Sequence, residues 1–147
     1  MRRPHESRAV LRDVIAAAMP ALYVGMENGV VNQDPAVLDA LNDKGVAIVV
    51  GRIENGTTQG TKVRAAVVEW TVPVVVMEKT AQNDTEDGFG QSADEVADTL
   101  VNAILSHASL GPHILALAND FWTGVTPDKG LEGVVLRFVL KGQYTPT

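Results

Sequence analysis

Three histidines, His5, His107 and His113, are the side chains of this sequence best suited to binding a metal or moving a proton near neutral pH. His107 and His113 lie on either side of Gly111-Pro112, where a helix is expected to break. Metal-binding pairs are more often spaced i, i+2 or i, i+4, with a further carboxylate or thiolate nearby. The spacing therefore predicts ordinary solvated or hydrogen-bonded histidines and no metal site.

Gly88 and Gly90 precede a predicted helix, the position that phosphate-binding loops occupy. Their spacing fits neither the Walker pattern nor the dinucleotide fingerprint, and the acidic residues around them would repel phosphate. Carboxylates are abundant between Asp84 and Asp98, but solvation and the dipole of a helix start account for them there. The sequence also lacks a G-x-S-x-G nucleophile elbow. We therefore predict no catalytic or cofactor-binding residues, and no enzyme activity.

The composition of the chain predicts one domain over residues 1–147. It has 147 residues, 12 of them basic and 18 acidic, a net charge of −6 and no cysteine, which excludes disulfides. Its longest uncharged apolar stretch, Val14 to Met26, is broken by Pro20 and Gly25 and is shorter than the ~20 residues of a membrane span. No signal-peptide cleavage site is evident, so residence in the cytosol is the default expectation. The negative charge argues against a surface built to grip nucleic acid.

Three helices can be predicted from periodicity and capping signals. Residues 5–19 carry an apolar series on one side of a helix, and Pro20 should end it. Asp34 can cap a short helix that begins at Pro35 and stops at Gly45. Ser92 and Glu95 have capping-box spacing ahead of an apolar stripe that runs from residue 96 to residue 108.

Extended segments are predicted between and after these helices. Asn28-Gly29 indicates a turn with short extended pieces on either side, and residues 46–53 are β-branched and favour a strand. Residues 55–60 form a polar turn cluster, so a hairpin with a loop of about six residues is expected there. Pro73 should mark a bulge or bend that separates residues 63–70 from residues 74–79.

The C-terminal part should contain one regular strand. Residues 113–118 are typical of a short strand and residues 119–130 of an irregular segment, whereas residues 131–141 alternate with period two. Residues 80–91 contain almost no apolar side chain except Phe89 and predict a long polar loop. The element order favours an α+β fold, a mainly antiparallel β-sheet with helices packed on one face.

This order of elements resembles the tail terminator, or tail completion, proteins of long-tailed bacteriophages. The resemblance is carried by the N-terminal amphipathic helix, the Asp-Pro-capped helix, the hairpin from Val46 to Trp70, the Ser92-Ala93-Asp94-Glu95 helix start and the closing strand. The stretch with Trp122, Pro127 and the strand from Val134 to Leu140 is its most suggestive part. It implies a structural virion protein with no cofactor and no catalytic residues.

The resemblance further implies a homo-oligomeric ring, commonly a hexamer, at the head-proximal end of the viral tail. Such a ring ends polymerisation of the tail tube protein and presents a face to a neck or head-completion protein. DNA would pass through it without specific binding, no membrane would be involved, and assembly would occur in the host cytoplasm.

Charge and aromatic residues suggest which surfaces would meet in a ring. A basic N-terminal segment of about residues 1–12 has a net charge of +3, whereas residues 84–98 are acidic. The loop of residues 80–91 is expected to project and to contact a neighbouring subunit or the tube. The candidate interface residues are Arg2, Arg3, Arg8, Asp84, Glu86, Asp87, Phe89 and Trp122.

Two alternatives remain open from the sequence. One is another virion protein, either a neck or head-completion protein or a tail tube subunit. The other belongs to a different class, a small dimeric α+β enzyme or ligand-binding domain, which would need a concave pocket holding a titratable side chain. With three His, two Tyr and no Cys, the chain offers few residues for such a pocket.

Overall fold

The computed structural model describes residues 4–27, 34–62, 65–107, 110 and 116–144. Arg2, Arg3 and the predicted Asn28-Gly29 turn lie outside these residues. The helices within them are α1 (Pro4–Ala18), α2 (Pro35–Asp43), α3 (Thr80–Asn83) and α4 (Ala93–Ser106). The strands are β1 (Tyr23–Met26), β2 (Val46–Val50), β3 (Asn55–Lys62), β4 (Ala65–Lys79), β5 (Ala116–Asp128) and β6 (Leu131–Tyr144).

The six strands form one sheet in the order β1-β2-β4-β6-β5, with β3 paired to β4 beside this path. Strands β1 and β2 are parallel, and the other pairings are antiparallel. The predicted α+β fold with a mainly antiparallel sheet is thus confirmed. Among the described residues, no helix has the length and apolar character required to span a bilayer.

Strand β4 is the central element, because β2 and β3 share one of its sides and β6 lines the other. The predicted break at Pro73 is wrong, since β4 continues through it with Pro73 opposite Arg137. The Pro73 carbonyl accepts from Gly51 N at 2.8 Å, on the side where β2 has ended and β3 has not begun. The nitrogen of Pro73, which has no hydrogen to donate, points to the same side as this carbonyl. It therefore faces the β2–β3 connection, and no hydrogen bond between strands is lost.

The main core lies between the sheet and helices α1 and α4. Alternating β6 side chains predicted for one face, Val134, Leu136, Phe138 and Leu140, are fully or almost fully buried there. The predicted helix stripes supply the other side, through α1 and α4 residues that include Leu11, Ile15, Val96, Leu100 and Ile104. The two longest helices thus share one face of the sheet, but the prediction that the helices pack on one face is wrong for α2, which lies on the other face.

The short helix α2 packs on the opposite face. Its Val37 and Leu41 join Ala47, Val49, Met77 and Leu131 in a second, smaller cluster. Ala47 and Val49 alternate along β2 with the residues that face the main core, so the two clusters lie on opposite sides of the sheet. Much of this second face, beyond α2, has no helix over it among the described residues.

The predicted helix caps are present. The Asp34 side chain accepts from Ala36 N, Pro35 is the first residue of α2, and Gly45 follows with φ of 82°. Ser92 accepts from Glu95 N at 3.3 Å. Its hydroxyl also lies 3.4 Å from Glu95 Oε1, so Glu95 returns to the Ser92 side chain and not to its backbone N–H.

Two segments predicted as irregular are strands. Residues 55–60, predicted as a turn, belong to β3, which pairs with β4 from Asn55 opposite Thr71 to Lys62 opposite Ala65. Residues 119–128, predicted as irregular, continue β5, although the register shifts between Leu117 and Trp122 and again before Asp128. Pairing with β4 and β6 supplies the order that local composition did not indicate.

Candidate functional site

Arg8, predicted as an interface residue of a basic N-terminal segment, is engaged within its own chain. It lies on α1 and donates from Nε to the Gly51 carbonyl at 2.8 Å and from Nη2 to the Val50 carbonyl at 3.3 Å. Burial lowers the pKa of Arg8, nearby Arg52 lowers it further, and Glu27 opposes both. Arg8 thus fastens the start of α1 to the end of β2, and the other two predicted basic interface residues, Arg2 and Arg3, lie outside the described residues.

Residues 80–92 form a segment, called here the 80–92 segment, whose residues 80–91 were predicted as a projecting loop, and it is held against the body of the protein. Its first four residues form helix α3, and Lys79 N donates to the Gly45 carbonyl just before it. Phe89 N donates to the Lys44 carbonyl at 2.9 Å, which fixes the other end of the segment on the end of α2. The expectation of a projecting loop is therefore wrong.

Asn83 organises this segment from inside, with only 3% of its surface exposed. Its Nδ2 donates to Glu78 Oε2 at 2.8 Å and to the Gln91 carbonyl at 2.7 Å, and its Oδ1 accepts from Gly90 N at 2.9 Å. Glu78 is itself buried and accepts through Oε1 from Ala93 N, at the first turn of α4. One amide and one carboxylate thus tie β4, the segment and α4 together.

The predicted contact residues of this segment divide into two groups. Asp84, Glu86 and Asp87 are exposed, and they form a short acidic tip on a fixed backbone. Phe89 is half-buried and packs against the main core, so it contributes to folding more than to an exposed surface. The tip can present negative charge, but it cannot extend far from the body.

Strand β5 carries two of the five large apolar side chains that are exposed among the described residues. Leu117 is 44% exposed and Trp122 is 40% exposed. They pair with Phe138 and Leu136 on β6, which face the main core. Both therefore lie on the side of the sheet that carries α1 and α4. Trp70 on β4 is by contrast only 4% exposed.

Phe121 joins Trp122 to the core. Its ring makes edge-to-face contacts with Trp122, at a centroid distance of 6.4 Å, and with Phe138, at 5.6 Å. Phe121 lies where the β5 register shifts, and the irregularity turns its side chain onto the main core. Trp122 is thus supported on one side and open on the other, as an anchor for a partner would be.

Arg137 bridges the opposite side of the sheet. Its Nε lies 2.9 Å from Glu54 Oε2 and 3.5 Å from Asp120 Oδ2, and its Nη1 donates to Thr123 Oγ1 at 3.1 Å. Glu54 belongs to the β2–β3 connection, which is itself bonded to β4 because Glu54 N donates to the Thr71 carbonyl. One guanidinium therefore joins β5 to β6 and to the connection beyond β4.

The sequence predicted Trp122 as a contact residue, but it indicated neither the exposure of Leu117 nor the Arg137 network. Leu117 belongs to the predicted strand of residues 113–118. Arg137 lies in the predicted strand of residues 131–141, yet its partners are 83 residues before it and 14 and 17 residues away on the neighbouring strand. No pattern in one sequence indicates those pairings.

Metal or covalent chemistry has no assembled residues in the described part of the chain. No group of three or more His, Cys, Asp or Glu residues could hold a metal ion there. No protein-family profile matches the sequence, and no curated protein matches it either. The candidate contact surfaces in the described part of the chain are the exposed side chains of β5 and the acidic tip of the 80–92 segment.

Proposed function

We propose that this chain is a structural virion subunit that assembles into a ring and ends the tail tube of a long-tailed bacteriophage. The ring, commonly a hexamer in the proteins it resembles, would lie at the head-proximal end of the tail. It would contact the tail tube protein on one side and a neck or head-completion protein on the other. DNA would pass through it without specific binding.

The observation that supports this proposal most directly is the exposure of Trp122 and Leu117 on one face of an edge strand. Large aromatic side chains at the centre of an interface account for much of its binding energy. A ring needs a head-to-tail interface, in which one such surface on each subunit meets a different surface on the next. An apolar anchor on a sheet edge meets the first half of that requirement.

The β5 backbone argues that side chains, and not main-chain pairing, make this contact. Its register shifts twice, and Pro127 cannot donate a hydrogen bond. Both features discourage the addition of another strand at the free edge. Trp122 and Leu117 are therefore the groups through which β5 would bind its neighbour.

The test is the mass of the protein in solution together with negative-stain images, alone and after mixing with purified tail tubes. The wild type should form rings with a central hole, or cap one end of each tube. Trp122→Ala should weaken ring formation at least tenfold. Leu105→Ala, which shortens a side chain on α4 that is 51% exposed, is the matched control and should leave ring formation unchanged. The proposal would be contradicted if the wild type is a monomer in solution and does not bind tail tubes.

The same images separate a terminator from its nearest alternative. A terminator should be found at one end of the tube, whereas a tube subunit should be found along its whole length. A neck or head-completion protein should bind the head in the absence of a tail.

A further inference from the structure

We propose that Arg137 is a positioning residue for the subunit interface, and that it sets the place of Trp122 from the opposite face of the sheet. This inference rests on the proposed function in taking Trp122 as the contact residue. The placement of Trp122 by Arg137 can be tested in the isolated protein whether or not a ring forms.

Backbone pairing alone leaves the position of the Trp122 region of β5 weakly defined. The β5–β6 register is interrupted between Leu117 and Trp122, so the residues between them have no regular partner on β6. The free edge of β5 has no strand beyond it in the described part of the chain. Bulged edge segments of this kind depend on side chains for their position.

Arg137 binds β5 both before and after Trp122 in the sequence. Asp120 precedes Trp122 by two residues and Thr123 follows it directly, and Arg137 approaches Asp120 Oδ2 at 3.5 Å and Thr123 Oγ1 at 3.1 Å. Because neighbouring side chains of a strand point to opposite faces, Thr123 can be held from below while Trp122 projects above. The register agrees, since Thr123 pairs with Val135 and Trp122 with Leu136.

The Arg137 side chain is itself held in place and largely shielded from water. It is only 19% exposed, and Glu54 holds its Nε at 2.9 Å from the far side of β6. A planar guanidinium can serve several acceptors at once in a rigid geometry, whereas a lysine ammonium cannot reproduce that fork. The network therefore holds the Trp122 region of β5 at a fixed position relative to β6 and the β2–β3 connection.

Strand β6 offers a matched control for charge and face. Lys141 lies four residues after Arg137 on the same face, and its Nζ pairs with Glu69 Oε1 at 3.3 Å. Glu69 belongs to β4, so this second ion pair does not involve β5. Lys141→Met therefore removes one positive charge from the same face without changing a contact of Trp122.

The experiment uses the full chain labelled with 5-fluorotryptophan, which gives one fluorine signal for Trp70 and one for Trp122. Trp122→Phe assigns the two. In Arg137→Met, the Trp122 signal should shift or broaden and change its solvent isotope shift, while the Trp70 signal stays in place. Ring formation should fall at least tenfold. Arg137→Lys should restore little of either property, and Lys141→Met should leave both unchanged.

Two further variants guard against a loss of folding in Arg137→Met. Asp120→Ala and Thr123→Val each remove one partner of the guanidinium from the β5 side, and each should move the Trp122 signal in the same direction by a smaller amount. An unchanged Trp122 signal in Arg137→Met and in both partner variants would overturn the inference. So would full ring formation by a folded Arg137→Met protein when Trp122→Ala abolishes it. If the wild type forms no ring, the proposed function fails, and the fluorine signals still decide the role of Arg137.

Discussion

The 80–92 segment is held by main-chain and amide hydrogen bonds that are largely shielded from water, whereas β5 is held on one side by β6 and on one face by an ionic network. The segment contains few apolar side chains yet buries Asn83 completely enough to organise its backbone. Strand β5 contains Leu117, Phe121 and Trp122 yet leaves two of them exposed. Polarity along a sequence therefore indicates neither which region is mobile nor which is free to bind.

This difference assigns the two regions different work. A segment fixed by buried hydrogen bonds keeps its shape whether or not a partner is present. A strand with an exposed aromatic residue gains burial only when a partner covers it. We therefore expect changes inside the 80–92 segment to act on folding, and changes on β5 to act mainly on association.

The largest expected effect is that of Asn83→Ala. It leaves Gly90 N, the Gln91 carbonyl and one Glu78 oxygen without their partner in a buried place, so the free energy of unfolding should fall by about 3 kcal/mol. Urea denaturation measures the loss, and hydrogen exchange should show faster exchange across residues 80–92.

The matched control for that change is Gln82→Ala. Gln82 precedes Asn83 and donates one hydrogen bond, to the Asp43 carbonyl, at an exposed position. Its removal should cost about 1 kcal/mol or less. Equal losses in the two variants would show that the buried network does not hold the segment.

Gly88→Ala should give the next largest effect. A Cβ at Gly88 would collide with the carbonyl group of Asn83, so the backbone of the segment must shift, at a cost of about 2 kcal/mol. Gly124→Ala on β5 adds the same methyl group where no atom lies within 4 Å, and it should change stability by no more than about 0.5 kcal/mol. Thermal denaturation of the two variants compares the packing of the two regions directly, and similar melting temperatures would contradict it.

Trp122→Ala should lower the free energy of unfolding by about 2 kcal/mol, less than for a fully buried tryptophan, because the residue is 40% exposed. Phe121→Ala should cost more, since Phe121 packs on Phe138 and on the main core. Urea denaturation of the monomeric protein gives both values. A larger loss in Trp122→Ala than in Phe121→Ala would mean that Trp122 serves folding, and the case for β5 as a contact surface would weaken.

These two regions also show which parts of the structure the sequence could predict. The caps at Asp34 and Ser92 and the alternation in β6 depend on residues close together in the chain, and all three were predicted. Strand β3 was missed because its Asn-Gly and threonine-rich sequence is locally typical of a turn and becomes a strand only by pairing with β4. The burial of Asn83 and the Arg137–Glu54 pair were missed because each depends on how the chain folds back on itself.

The smallest expected effect on stability is that of neutralising the acidic tip with Asp84→Asn, Glu86→Gln and Asp87→Asn together. These carboxylates are exposed, and the buried network below them is untouched, so each change should alter the free energy of unfolding by no more than about 0.5 kcal/mol. Deleting residues 84–88 would be a poorer test, because it removes Gly88 and disturbs Asn83.

The same triple variant asks whether the tip contributes to assembly through its charge. If it faces a basic neighbour, ring formation or tube capping should weaken severalfold at low salt, and the difference should shrink as salt screens the interaction. Asp13→Asn, Asp39→Asn and Glu132→Gln together remove the same charge from exposed sites outside the acidic residues 84–98 and should have no such effect. Equal assembly by both triple variants at every salt concentration would leave β5 as the contact surface and reduce the tip to a solvated end of a rigid segment.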